Sequence, residues 1–156
     1  MEASLEAALA SGDLSRLTTY QAGIIQASVN RTLQKVSDDA LKPYGISKMQ
    51  WMILGSILDA GSMGARATDL AKTLDTTLPY LTNSINYLES RGMVTRTDNK
   101  HDSRSKLAII HPDFVPKCAE IEETLRTALR EAIYVHVAPA DFCTYFRVLS
   151  QLYTMR

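Results

Sequence analysis

Asn83 and Asn86 sit three residues apart in LPYLTNSINYLES, and each carries an amide that donates and accepts at once. That pairing matches the donor and acceptor edge of adenine, while Thr77, Pro79 and Tyr80 can meet a thymine methyl. Helical spacing decides which side chains act together. At 100° per residue, Pro79, Tyr80, Asn83, Asn86 and Tyr87 share one face, and Leu78, Leu81, Ile85 and Leu88 form the opposite, apolar one. The polar face is almost uncharged, which is odd for a surface that serves only solvation. Arg66, Thr68, Thr82, Ser84 and Arg91 are side chains of the kinds that contact phosphates. A further set, Lys100, His101 and Arg104, lies in the polar run DNKHDSRS.

These residues need elements to hold them. Thr68 reads as the cap of a short helix carrying Leu70, Ala71 and Leu74; Asp75, Thr76 and Thr77 make a turn. The next helix has Pro79 in its first turn, where a missing N–H costs nothing, and Gly92 stops it. Residues 93–97 alternate as a strand, 107–110 pair with them, and the polar run is the loop between. Arg66 and Ala67 are too short to be more than a single bridge of strand. Upstream, Ser47 with Gln50 forms a capping box, Ile46 staples onto Trp51, and Leu54, Ile57 and Leu58 extend that stripe to Gly61.

Long helices flank this unit. Residues 1–10 favour helix, and Asp13 is expected to cap a second helix running to about Leu41, with Leu17, Ile24, Ile25, Val29, Leu33 and Val36 on its stripe. Pro112 and Pro116 restart helix. Cys118, Ile121, Leu125, Ala128, Leu129, Ala132 and Ile133 line it to about Val137, and a last helix from Pro139 carries Phe142, Phe146, Leu149, Leu152 and Tyr153. The expected fold is mainly α with a small β wing. A winged helix-turn-helix domain spans 46–111, and helical dimerisation segments span 1–45 and 112–156.

The composition is that of a globular chain, 46% hydrophobic and 22% charged over 156 residues, with formal net charge zero. The charge is unevenly spread. Residues 64–106 carry seven Lys and Arg against five Asp and Glu, whereas each flank has five against six. No apolar run approaches the roughly 20 residues that span a bilayer, so a cytoplasmic protein is expected with no membrane partner. Cys118 and Cys143 form no CxxC or Cys/His cluster and read as packing thiols. His111 and His136 read as surface or capping residues. No HExxH, P-loop, GxSxG or dinucleotide fingerprint is present, so neither enzyme nor cofactor nor metal site is expected.

In this order, the sequence resembles the MarR family of winged-helix transcriptional regulators. The resemblance is carried by Gly45 to Ser47, Gln50 with Trp51, Leu70 to Leu74, Leu81 to Arg96, and Asp102 with Arg104. It implies a homodimer joined through its first and last helices, bound to pseudo-palindromic double-stranded DNA and usually repressing nearby genes. It also implies release by a small aromatic or phenolic acid, or by oxidation. In the wing it implies that Asp102 braces the loop while Arg104 reaches the minor groove or its phosphates. An effector pocket would lie where the first helix, the second helix and the wing domain meet, with Tyr20, Tyr44, Trp51 and Met52 as linings and Arg16 as a partner for a carboxylate. Trp51 serves equally well as plain core, and Arg16 as a solvated cation. Two departures stand out. Asn83 occupies a position where many relatives have Arg or Lys, which favours an A·T-rich site. The first long helix lacks the cysteine of the hydroperoxide-sensing branch. A different class of function, a winged-helix protein-interaction module without a DNA site, fits the weak charge bias.

Overall fold

The computed structural model describes residues 2–13, 15, 17–99 and 105–155. The chain divides into two compact units, Met1–Val36 and Ser37–Arg156. The first holds α1 (Glu2–Ser11) and most of α2 (Thr19–Leu41). Asp13 does not cap α2: its carboxylate accepts from the Ser15 amide at 3.0 Å in a local turn. The cap is Thr18, whose Oγ1 accepts from the Gln21 amide at 3.2 Å while Gln21 Oε1 accepts from the Thr18 amide at 3.0 Å. Counted from Asp13, the residue in the reciprocal position is an arginine, which has no acceptor to return. Leu17 therefore lies in a bend outside the helix, and Val29 is exposed while Ile24, Ile25, Leu33 and Val36 are half-buried.

In the second unit a 3-10 turn (Lys42–Tyr44) leads to α3 (Lys48–Ala60). Both halves of the expected capping box are present, Gln50 N–H to Ser47 Oγ at 3.2 Å and Ser47 N–H to Gln50 Oε1 at 2.9 Å. Its inner face is Ile53, Leu54 and Ile57; Leu58, expected there, points outward. β1 (Ala65–Arg66) pairs with β3 (Lys106–Ile110), which pairs with β2 (Val94–Asp98), all antiparallel in the order β1-β3-β2. Val94 opposite Ile110, and Ala108 opposite Arg96, face the core side.

Between β1 and β2 lie α4 (Ala67–Thr73) and α5 (Leu78–Ser90). Because the strand lasts to Arg66, α4 begins at once, and Thr68 sits inside its first turn instead of capping it. Thr77 caps α5, its Oγ1 accepting from the Tyr80 amide at 3.4 Å. At the far end Gly92, at φ 68°, lets its own amide return to Glu89 O at 2.9 Å and that of Met93 to Leu88 O at 3.0 Å. Leu81, Ile85 and Leu88 join Leu41, Ile46, Leu54, Val94 and Ile121 in one core. Leu78 does not; it is 44% exposed, since the turn at Thr77 leaves the first residue of α5 overhanging the packed stripe.

His111 caps a 3-10 turn (Pro112–Phe114), its Nδ1 accepting from the Asp113 amide at 3.3 Å. α6 (Val115–Ala132) follows, with Cys118, Ile121 and Leu125 buried. The expected stripe is not buried beyond Leu125, and the helix stops before Val137. The β-branched residues Ile133, Val135 and Val137 favour its end, and residues 134–136 form a 3-10 turn. α7 (Pro139–Thr154) has Phe142 half-buried, its ring tilted against that of Tyr134 with centroids 4.3 Å apart, whereas Phe146, Leu149, Leu152 and Tyr153 are exposed. Cys143, read from sequence as a packing residue, is exposed on the same helix.

Candidate nucleic-acid interface

The cap at Thr77 and the apolar side of α5 fix what the helix presents outward. Pro79, Tyr80, Asn83, Asn86 and Tyr87 are exposed on the outer side, and Thr82 is half-buried at its edge. Ser84 leaves this set. It is 6% exposed, between Leu81 and Leu88 on the packed side, and cannot reach a phosphate from there. Thr68 is exposed on α4, while Arg66 is half-buried at the end of β1. Arg66 borders an open cavity of about 920 Å³ with Asp69, Thr97, Asn99, Leu107 and Ile109. Lys100, His101, Asp102 and Arg104 lie outside the described residues. At the base of their loop, the Asn99 side chain donates to Ser105 Oγ at 2.8 Å.

Two cations meet the outer side of α5. Arg96 reaches from β2 to donate to Glu89 Oε2 at 2.7 Å and to Asn86 Oδ1. Asn86 therefore enters any contact with its carbonyl already engaged. Arg91 lies against Tyr87, its Nη1 donating to the Tyr87 hydroxyl at 2.7 Å. Sequence reasoning missed Arg96 and the engagement of Tyr87. The alternation of β2 gave a signal for Arg96, since it shares a strand face with Val94, which packs inward. A long side chain on that face must escape along the neighbouring helix.

The expected effector linings fall in both units. Tyr20 belongs to the Met1–Val36 unit and is 73% exposed, and Arg16 lies outside the described residues. In the other unit Trp51 packs against the core and Met52 is exposed. Tyr44 borders a cavity of about 450 Å³ with Pro43, Arg91, Met93, Phe114, Lys117 and Glu120. Neither Trp51 nor Met52 lines it. Lys117 donates to both Glu120 oxygens at 2.8 Å; this bond holds the Glu120 carboxyl below its ordinary range and the Lys117 ammonium above its own. Burial raises the Cys118 thiol. Among the described residues no group of His, Cys, Asp or Glu is arranged to hold a metal ion, and no helix is long and apolar enough to cross a membrane.

A helix-turn-helix followed by a two-stranded wing is thus built over the stretch where residues 44–105 match the family model described as MarR family. Over this stretch the chain is similar to the MarR family. Similarity extends to the HTH-type transcriptional regulator PrsX of Escherichia coli, 30% identical over 77 residues, covering 49% of this chain and 46% of PrsX. The match thus spans about half the length of that relative. Among solved structures, a mutant MarR from E. coli complexed with operator DNA superposes with a TM-score of 0.74 at 23% identity, covering 83% of this chain and 91% of that one. CouR from Rhodococcus jostii RHA1, bound to p-coumaroyl-CoA, gives 0.71 at 19% identity, covering 83% and 89%. At such identities the likeness establishes the fold alone.

Proposed function

We propose that this chain is a MarR-type, dimeric DNA-binding transcriptional regulator of the cytoplasm, a repressor of nearby genes released by a small aromatic or phenolic acid. The observation that carries the reading is the outer side of α5, where Tyr80 and Asn83 stand exposed above a fully buried Leu81, Ile85 and Leu88. A helix held this way can enter a major groove and read base edges. Thr77, Pro79, Tyr80 and Asn83 would meet bases; Thr68, Thr82, Arg66, Arg91 and the wing residues Lys100, His101 and Arg104 would hold phosphates, with Asp102 bracing the wing. The operator-bound MarR structure supports this use of the fold. Residues 46–111 form the reader in this proposal, and 1–45 with 112–156 the dimerisation region. The exposed apolar side of α7 supports that division.

The test is a mobility shift of the purified protein on a palindromic fragment of its own promoter region, repeated across salt concentrations. Binding through phosphates must weaken steeply as salt rises; absence of any shift at low salt sinks the proposal. The p-coumaroyl-CoA on CouR supports an aromatic acyl effector. Phenolic acids should then release DNA and raise thermal stability, and that effector class is wrong if they do neither. A second reading, a protein-interaction module, draws on the ion pairing of Arg96 with Glu89, which leaves less free positive charge at α5. A random-sequence selection returning no enriched motif would favour it.

A further inference from the structure

We propose that Tyr44 and Tyr87 are positioning residues for α5, acting by gripping one short turn, residues 43–45, from two sides. This inference rests on the reading of α5 as a DNA reader in a dimer. The Tyr87 hydroxyl donates to the backbone carbonyl of Gly45 at 2.7 Å and accepts from Arg91 at 2.7 Å. The Arg91 guanidinium in turn lies directly on the turn. A Cβ placed on Gly45 would come within 2.8 Å of Arg91 Nη1, and the φ of +68° there already favours glycine. From the other side, the Tyr44 hydroxyl lies 2.9 Å from Thr124 Oγ1 and 3.2 Å from Glu120 Oε1 on α6. The Lys117 ammonium, bound to that same Glu120, stands 5.4 Å from the centre of the Tyr44 ring.

The chain of contacts runs α5, Tyr87, Gly45, Tyr44, α6. It joins the reading helix to the helix that leads into α7. Tyr87 occupies the outer side of α5 one turn beyond Asn83, yet its hydroxyl is committed to the backbone carbonyl of Gly45. A hydrogen bond of fixed length on each side of a three-residue turn leaves little freedom for α5 to tilt against α6. In a dimer joined through the terminal helices, that tilt sets the separation of the two reading helices, and so which half-site spacing is bound.

Tyr87→Phe and Tyr44→Phe each remove one hydroxyl and keep the ring. Binding is measured on a palindrome selected with the wild-type protein, and on versions with the half-sites moved one base pair closer or farther apart. Each variant should lose about fivefold in affinity at the selected spacing and less at the altered ones, flattening the preference. The double variant should lose no more than the weaker-binding single variant, because either break frees the same turn. A uniform loss at every spacing for Tyr87→Phe, with none for Tyr44→Phe, would make Tyr87 a direct DNA contact and overturn the proposal, as would unchanged binding by both. Hydrogen exchange on the free proteins separates this from the DNA reading itself. Both variants should exchange faster across residues 43–48, where unchanged exchange would also overturn the proposal even if wild-type protein bound no DNA.

Discussion

In the proposed reading, Asn83 is the outward amide of α5 whose donor and acceptor are both left for a base, since Asn86 already accepts from Arg96. Replacing Asn83 by Ala should remove about 1–3 kcal/mol of discrimination at one base pair per half-site. The salt dependence should stay as it was, because no charge is lost. Selection of bound sequences with the variant checks this; equal weakening on every sequence would show that Asn83 does not read bases. Cys118 supports a different prediction. Its folded thiol titrates above the ordinary range because of burial, so the neutral form stabilises the fold below the unfolded thiol's range, and that contribution falls away as pH rises through the folded value. Denaturation midpoints measured into the alkaline range should fall less steeply in Cys118→Ala. The outward placement of Asn83 and Tyr80 was legible from spacing alone. Ser84 was legible too, three residues from Leu81 and four from Leu88, but its hydroxyl suggested an outward role. The Arg96 bridge to Asn86 and Glu89 needed the placement of β2 against α5, which no single periodicity contains.

Helix ends repay attention at the element scale, because sequence marks them well only when both halves of a cap are present. Ser47 with Gln50 and Thr18 with Gln21 are reciprocal pairs, and both form. Asp13 and Thr68 lack a partner three residues on that can return an acceptor in place, and neither starts a helix. α3 carries Ile53, Leu54 and Ile57 into the core, so fraying at its start is felt by the whole winged unit. Ser47→Ala should cost about 1 kcal/mol of stability, whereas Asp13→Ala, in an exposed turn outside α2, should stay within about 0.5 kcal/mol. Urea denaturation at one protein concentration measures both. Equal losses would place the two residues in equivalent roles, against the geometry. The stripes of α6 and α7 show the converse limit. Sequence marks them as apolar, yet periodicity cannot say whether the covering surface belongs to the same chain, and past Leu125 the chain supplies little of it.

That uncovered surface sets the problem for the whole molecule. Phe146, Leu149, Leu152 and Tyr153 line an exposed apolar side of α7, the kind of surface that a partner covers. Residues 64–106 exceed neutrality by only two positive charges, so in the proposed regulator one reader would have a weak electrostatic hold on DNA and two readers bound together would supply the affinity. The two facts make one prediction. Leu152 is 57% exposed, so Leu152→Glu removes little packing within the chain but sets a charge where a second copy would seat. The variant should sediment as a monomer with a circular dichroism spectrum close to wild type. Its affinity for a full palindrome should fall by about 100-fold or more, while that for an isolated half-site should hardly change. A dimer that persists in the variant would move the seam elsewhere. A monomer that still binds the palindrome at full strength would show that the hold on DNA comes from one reader after all.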